Sequence, residues 1–374
     1  AAEIGPIRPP SESKSLLIRF SRNCSWNRCL FCPVYKGESF KIRHLDELIT
    51  EINYLGSLKN QLKHILTNNS FSETLKMLPE LFKERDIIYD AHRILHWLFH
   101  KEYTVFLQDG DPLLRKKDEL KKILSLLNEL FPEITRITAY ARAATLSKFS
   151  ADDFRELQKL KLTRIHTGLE SGSANVISLV KKGIKQEDII NASKNLLKAN
   201  IEFSLYVMPG LGGTTLSKEH VTETIKVLNA ALPSFVRFRT LALNKSVPLY
   251  NLFIRGEFTI PSEEDMVNEI RLMIEGIDIQ TTVTSDHNLN LLLDVNGKLP
   301  EKREYLLSKI NRFLSLSEEQ RLKFIIARRL NYISDFTEFS ISTLEDIEKI
   351  YKQLITMSEA EKNRFFLELR SNNF

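Results

Sequence analysis

The chain has 374 residues, of which 43% are hydrophobic and 27% charged, and its formal net charge is +5. This length allows one large domain with a smaller appendage, and the charged fraction is ordinary for a soluble protein. Lysine and arginine are interspersed with acidic residues rather than gathered into blocks, so a nucleic-acid partner is possible but not favoured.

The sequence offers no window of about 18 consecutive apolar residues, so no membrane span is predicted. The opening residues, AAEIGPIRPP, lack the apolar core of a signal peptide, and we expect a cytoplasmic protein. All three cysteines lie between positions 24 and 32. An odd and tightly spaced set of cysteines suits a metal site better than a disulfide framework.

Short β-rich runs recur along the chain, and most are followed by an amphipathic helical pattern. Strands that alternate with helices indicate βα units, a parallel sheet and right-handed crossovers. Such a series predicts an α/β fold, most economically a full or partial (βα)6 TIM-like barrel, with a doubly wound open sheet as the alternative. The predicted strands cover 16–21, 103–107, 134–140, 164–168, 203–208, 235–241 and 277–283.

Helix starts are marked by capping residues. Ser150 and Ser262 each precede an aspartate by three residues, which is the capping-box spacing. Residues 57–101 are too many for one crossover and predict an inserted helical pair. From about residue 286 the pattern becomes entirely helical, with predicted starts at Ser317, Thr343 and Ser358.

These patterns divide the chain into three predicted parts. Residues 1–13 form an N-terminal extension, and residues 14–285 form the barrel with its helical insertion. Residues 286–374 form a C-terminal helical subdomain that we expect to pack against the barrel.

The strongest chemical signal is NCSWNRCLFCPVYK at 23–36, a C-x4-C-x2-C motif directly after the first predicted strand. Three thiolates on one loop can each take one iron of a cubane cluster, which leaves the fourth iron open to an exchangeable ligand. One alternative is a zinc site that uses His44 as the fourth ligand. Another is a set of three inert buried thiols.

This motif resembles the radical SAM superfamily, whose usual pattern is C-x3-C-x-φ-C with an aromatic residue at φ. Phe31 occupies the aromatic position, although one extra residue separates the first two cysteines. The resemblance implies a radical SAM barrel and a [4Fe–4S] cluster held by Cys24, Cys29 and Cys32. It also implies that S-adenosylmethionine binds at the open iron.

The turn after the second predicted strand carries Asp109, Gly110 and Asp111. Members of the superfamily have a Gly-Gly-Glu motif here that holds the methionine ammonium of S-adenosylmethionine, so the resemblance gives these three residues that role. A carboxylate and exposed carbonyls on a glycine turn suit a cationic amine. The alternative is an ordinary Asp-Gly turn.

Two later turns complete the predicted cofactor site. In HTGLESGS the resemblance assigns Glu170 to the ribose hydroxyls or the methionine carboxylate, with Ser171 beside it, although Ser171 and Ser173 could instead cap a helix. In VMPGLGG it places the backbone of Met208 and Gly210 along the adenine.

Two arginines alternate on the sixth predicted strand and therefore share one face. If that face points into the barrel, Arg239 or Arg237 could bind a carboxylate. Solvent-facing arginines on a half-buried strand are the equal alternative.

Together these motifs resemble a group related to oxygen-independent coproporphyrinogen oxidase and the Elongator catalytic subunit, over about residues 14–245. The resemblance implies an oxygen-sensitive enzyme in which a reduced cluster cleaves S-adenosylmethionine to a 5′-deoxyadenosyl radical for hydrogen abstraction. It implies an electron donor such as flavodoxin or ferredoxin and no catalytic base. The alternatives are an enzyme that uses the cluster only for electron transfer, and a non-catalytic zinc or iron–sulfur module that could be RNA-associated. The substrate does not follow from the sequence.

Overall fold

The computed structural model describes residues 1–336 and 345–371. Its ten strands, counted over those residues, are short and mostly apolar. They are β1 (Leu16–Arg19), β2 (Ser21–Arg22), β3 (Lys41–Ile42), β4 (Thr104–Gln108), β5 (Arg136–Tyr140), β6 (Leu162–Glu170), β7 (Glu202–Val207), β8 (Phe235–Phe238), β9 (Thr281–Thr284) and β10 (Gly297–Leu299).

Eight of these strands form one sheet in the order β1-β4-β5-β6-β7-β8-β9-β10, and β2 pairs with β3 separately. The pairs β1–β4, β4–β5, β5–β6, β7–β8 and β8–β9 are parallel, whereas β10 runs antiparallel to β9. The strand order follows the chain order without the reversal that defines a doubly wound sheet. The predicted α/β fold with sequential βα units is therefore confirmed, in its partial form.

The strands form where the predicted apolar runs stand. All five residues of β4 are buried, as expected for a parallel strand covered on both faces. Register is regular here: Leu16 lies opposite Val105, and Phe106 lies opposite Thr138. The first strand is shorter than predicted, because the chain leaves the sheet after Arg19 and pairs Ser21 with Ile42 instead.

Fifteen α-helices connect and follow the strands in the described residues. They are α1 (Leu45–Leu66), α2 (Phe71–Leu81), α3 (Arg85–His100), α4 (Lys117–Leu130), α5 (Ala143–Leu146), α6 (Ala151–Lys159), α7 (Ala174–Leu179), α8 (Gln186–Lys198), α9 (Ser217–Ala231), α10 (Leu249–Ile254), α11 (Glu263–Gly276), α12 (Arg303–Leu314), α13 (Glu318–Arg329), α14 (Glu345–Leu354) and α15 (Glu359–Ser371). In that part of the chain, none of them is long and apolar enough to cross a membrane.

Most of the predicted helix starts are confirmed by their hydrogen bonds. Ser150, Ser262 and Ser317 each form a capping box with the residue three positions later. Ser358 accepts a hydrogen bond from the Glu361 amide in the same way. The predicted start at Thr343 lies outside the described residues.

Two helical predictions need correction. The insertion contains three helices, α1 to α3, and begins at Leu45 rather than at 57, because α1 continues through Gly56. A Cβ on Gly56 would lie 3.2 Å from Leu130 Cβ, so this glycine allows close packing of α1 against α4. The region after 286 is not entirely helical, since β10 pairs with β9 there.

The described chain packs into two compact units. The first contains Ala1–Asn27, Val34–Thr167 and Lys194–Phe203, and the second contains Arg28–Pro33, Gly168–Ser193 and the described part of Ser204–Phe374. In the first unit, α1 packs against α3 and α4 through fully buried Leu48, Ile52 and Leu55. In the second, α11 packs against α9 and α12, and α13 packs against α14 and α15.

The C-terminal helices of the second unit are joined to α11 by a buried ion-pair cluster. The Glu263 carboxylate accepts hydrogen bonds from Arg329 at 2.6 and 2.9 Å and from Arg370 at 2.8 and 3.0 Å. Burial alone would raise the pKa of Glu263, but the two guanidinium groups outweigh it and lower the pKa. This cluster attaches α13 and α15 to α11, the helix that carries Glu263.

Candidate functional site

Cys24 belongs to the first unit, where it lies against the turn that follows β4. A Cβ built on Gly110 would lie 3.0 Å from Cys24 Cβ and 3.2 Å from its Sγ. Any side chain at position 110 would therefore press on this cysteine. The turn approaches Cys24 closely only because residue 110 is glycine.

Asp109 is fully buried and forms hydrogen bonds within the first unit to residues on either side of the three cysteines. Its carboxylate accepts hydrogen bonds from Arg19 Nε at 2.7 Å, the Tyr35 hydroxyl at 3.1 Å and the Asn23 amide at 3.1 Å. Burial raises the pKa of Asp109, and Arg19 partly offsets this. Asp109 thus fixes the positions of Asn23, directly before Cys24, and of Tyr35, which follows Cys32.

Asp111 is equally buried and binds the residue after Cys24. Its carboxylate accepts hydrogen bonds from Ser25 Oγ at 3.0 Å, Thr145 Oγ1 at 2.6 Å and the Arg142 amide at 3.2 Å. Burial raises the pKa of Asp111, and these donors partly lower it again. A carboxylate has about four acceptor positions, so three protein donors leave room for one more.

Aromatic and basic side chains border this half of the site. The Arg142 guanidinium lies 4.9 Å from the Trp26 ring centroid, which is a cation–π contact. His166 is fully buried with its Nε2 3.7 Å from Glu12 Oε1.

Phe31 anchors the other half of the motif in the second unit. It is buried in an apolar cluster that includes Val180, Met208 and Leu367, and Cys29 and Cys32 pack against that cluster. Both backbone groups of Leu30 are used: its amide donates to Val180 O and its carbonyl accepts from Leu249 N, each at 2.8 Å. The loop is therefore held by its backbone as well as by Phe31.

Glu170 ends β6 in a left-handed conformation, with φ +61°. Lys182 Nζ lies 2.9 Å from Glu170 Oε1 and 5.5 Å from the Phe31 ring centroid. A Cβ on Gly168 would overlap the charged ends of both side chains, so a larger residue there would displace this ion pair. Lys182 was not singled out in the sequence, because no local motif marks a lysine twelve residues after Glu170.

Ser171 and Ser173 have different roles. Ser173 Oγ accepts a hydrogen bond from the Val176 amide and caps α7. Ser171 Oγ accepts a hydrogen bond from the Ser173 amide at 3.1 Å, outside α7, and is also hydrogen-bonded to His220 Nδ1 at 2.8 Å. The capping alternative therefore applies to Ser173 alone.

The turn after β7 is built on Gly210. Its φ is +86°, and a Cβ there would lie 2.6 Å from Met266 Sδ, so glycine is required on both counts. The Gly210 amide donates to Glu269 Oε2 at 2.6 Å, and the Met208 amide donates to Glu170 O at 2.9 Å. The ends of β6 and β7 are therefore joined at the predicted cofactor residues.

The two arginines of the sixth predicted strand do not share a strand face, because β8 ends at Phe238. Arg237 is buried and donates to Ser204 Oγ at 3.1 Å, which excludes the solvent-facing alternative for this residue. Arg239 is half-buried beyond the strand. Burial and the charge of Arg239 together lower the pKa of His287 to about 4.

The three cysteines are half-buried thiols that form no disulfide. Within residues 1–336 and 345–371, no three or more His, Cys, Asp or Glu side chains are arranged as a ready metal-binding group. The donor chemistry nevertheless fits an iron–sulfur cluster, since thiolates are its usual ligands. The close approach of the Gly110 turn to Cys24 fits the same interpretation.

Comparison with protein families gives a match to the Radical SAM superfamily over residues 18–228, which is more than half of the chain. The heme chaperone HemW of Bacillus subtilis is 24% identical over 177 residues, covering 47% of this chain and 46% of HemW. The tRNA uridine(34) acetyltransferase of Methanocaldococcus infernus is 26% identical over 122 residues, covering 32% of this chain and 23% of that enzyme. The chain thus spans less than half of the length of either relative.

Solved structures that resemble the chain include Methanocaldococcus infernus Elp3, with a TM-score of 0.41 and 20% identity, covering 56% of this chain and 54% of Elp3. Coproporphyrinogen III oxidase (HemN) of Escherichia coli has a TM-score of 0.44 and 15% identity, covering 70% of this chain and 51% of HemN.

Proposed function

This chain belongs to the radical SAM superfamily, and from that premise we propose that it is a radical S-adenosylmethionine enzyme. It binds a [4Fe–4S] cluster through Cys24, Cys29 and Cys32. The observation that carries the proposal is the cysteine motif inside the matched residues, with the Gly110 turn packed closely against Cys24. When bound and reduced, the cluster would supply one electron that breaks the C5′–S bond of S-adenosylmethionine, giving methionine and a 5′-deoxyadenosyl radical for hydrogen abstraction from a substrate.

The chain's own residues bind and orient the ligand in this proposal. Asp111 takes the methionine ammonium with the acceptor position that its three protein donors leave open. Gly110 contributes its carbonyl on the same turn. Asp109 positions the turn, because its carboxylate holds Arg19 and the Asn23 amide.

The methionine carboxylate needs a cation, and Lys182 is suited to it because its ammonium lies near both Phe31 and Glu170. Glu170 then takes the ribose hydroxyls, with Ser171 beside it. Met208 and Gly210 present backbone to the adenine, and Arg239 contacts a carboxylate of the ligand or substrate. An electron donor such as flavodoxin or ferredoxin would supply the electron that reduces the cluster.

The test is anaerobic reconstitution of the chain with iron and sulfide. We expect about four iron and four sulfide per chain, and release of 5′-deoxyadenosine after reduction in the presence of S-adenosylmethionine. Cys29→Ala should lose iron and cleavage. His44→Ala is the matched control, because His44 is exposed and would be essential only in the zinc alternative. Full iron and cleavage in Cys29→Ala would refute the ligand assignment.

A further inference from the structure

Two buried side chains lie behind the predicted cofactor turns of the second unit, and neither was singled out in the sequence. His220, on the first turn of α9, is fully buried and is hydrogen-bonded through Nδ1 to Ser171 Oγ at 2.8 Å. Glu269, on α11, is 1% exposed and accepts the Gly210 amide at 2.6 Å. His220 Nε2 and Glu269 Oε2 are 3.8 Å apart.

Each of the two turns is held by one of these side chains. Ser171 follows β6 and is hydrogen-bonded to His220, and Gly210 follows β7 and donates to Glu269, whereas the 3.8 Å between His220 Nε2 and Glu269 Oε2 is too long for a hydrogen bond. Ser217 Oγ also donates to Glu269, at 2.5 Å. Because the site is buried, water cannot replace a lost partner, so the loss of one acceptor leaves a buried N–H or O–H unpaired.

We propose that His220 and Glu269 are positioning residues for S-adenosylmethionine, which hold the Ser171 and Gly210 turns in the arrangement that one ligand contacts. This inference rests on the proposed function, because it assumes that these turns bind that ligand. Neither side chain touches the ligand in this role. They act through the hydroxyl of Ser171 and the amide of Gly210.

The charge states of the two residues are consistent with this role. Burial lowers the pKa of His220 to about 4, although a hydrogen bond to the Met208 backbone raises it slightly, so the ring is neutral at pH 7. Burial raises the pKa of Glu269 to about 7; Ser217 and the Gly210 amide oppose this shift, and Asp265 adds to it. Glu269 therefore changes charge near neutrality.

Other charged groups near α11 are engaged elsewhere. On α11 itself, Arg271 pairs with Glu275, and Glu263 pairs with arginines of α13 and α15. On α12, Arg303 donates to the Ile277 carbonyl and Lys309 pairs with Asp294. The pKa of Glu269 is thus set by its burial, its two hydrogen-bond donors and the charge of Asp265.

The direction of the pH effect follows from the hydrogen bonds. The carboxylate of Glu269 accepts from Gly210 and Ser217 together, and a charged acceptor binds more strongly than a neutral one. Protonation of Glu269 weakens both of these hydrogen bonds and places an additional proton in the buried site. Affinity for S-adenosylmethionine should therefore fall as the pH falls through about 7.

The experiment measures S-adenosylmethionine binding by equilibrium dialysis, on the cluster-reconstituted full chain, from about pH 6 to about pH 8.5. Glu269→Gln should raise the dissociation constant about tenfold above neutrality and remove the pH dependence. Glu275→Gln, which changes an exposed glutamate of the same helix, should behave as the wild type.

A second variant keeps the test decisive if Glu269→Gln fails to fold. Ser217→Ala removes one donor to the Glu269 carboxylate, so the midpoint of the pH profile should move upward by about one pH unit. A midpoint that stays in place would overturn the inference.

The outcomes also separate the two proposals. A wild-type chain that holds its cluster but does not bind S-adenosylmethionine would overturn the proposed function and this inference with it. If the wild type and Glu269→Gln bind S-adenosylmethionine with the same affinity and the same pH profile, this inference alone would be overturned.

Discussion

Replacing Gly110 by alanine tests whether Cys24 needs its present position. The added Cβ would lie 3.0 Å from Cys24 Cβ, 3.1 Å from its Cα and 3.2 Å from its Sγ. Ordinary contacts of a Cβ begin near 3.4 Å, so the cysteine would have to move by a few tenths of an ångström. One contacted atom belongs to the backbone, so a side-chain rotation cannot relieve the overlap.

Overpacking of a fixed contact by one methyl group costs about 1–3 kcal/mol. The φ of Gly110 lies outside the left-handed region, so alanine adds no backbone strain there. We therefore expect Gly110→Ala to lower the free energy of unfolding by about 1–3 kcal/mol. Because the displaced residue is a proposed cluster ligand, we also expect less iron per chain after reconstitution.

The assay combines urea denaturation with iron analysis of the reconstituted chain. Gly256→Ala is the control, because Gly256 has a φ of +74° and no heavy atom within 4 Å of the added Cβ. Alanine there costs about 1–2 kcal/mol of strain without touching a cysteine, so iron content should stay unchanged. Gly110→Ala with wild-type stability and full iron would refute the reasoning.

Three further substitutions test other contacts. Asp111→Asn should raise the dissociation constant of S-adenosylmethionine about tenfold, since the acceptor for the ammonium loses its charge; unchanged dialysis results would contradict that role. Lys182→Met keeps the apolar stem and removes the cation, so the same constant should rise about tenfold while iron content stays constant; a loss of iron instead would show a structural role. Glu263→Gln should lower the free energy of unfolding in urea by about 3–5 kcal/mol, because both buried arginines lose their negatively charged partner. The pKa of Glu263 is lowered in the folded state, so the wild-type advantage is present above its unfolded value of 4.5 and shrinks as the pH falls below it. An advantage independent of pH would contradict this ion-pair explanation.

Features that depend on neighbouring residues were predictable from the sequence. The capping boxes at Ser150 and Ser262 form as predicted, and the helix predicted to start at Ser317 also begins with one, because a cap joins residues only three positions apart. The strands of the parallel series appear where the apolar runs predicted them. Errors occurred where packing decides: Gly56 lies inside α1, where its missing side chain lets Leu130 of α4 pack closely.

The candidate site divides in the same way. The cysteine spacing and the Asp-Gly-Asp turn are local patterns, and they place the predicted ligands directly after strands. Their roles as ligands stay proposals. The extent of β8 was not predictable, because the strand ends at Phe238 while the apolar pattern continues to Leu241.

The sequence by itself determined the order of the βα units, the family motif and the turns that carry it, because each depends on residues close together in the chain. Only the tertiary structure decided which side chains support those turns. Ser171 and His220 are 49 positions apart, and Gly210 and Glu269 are 59 apart. Hydrogen bonds over such separations exist only once helices have packed on the sheet, and no local pattern of the sequence marks them.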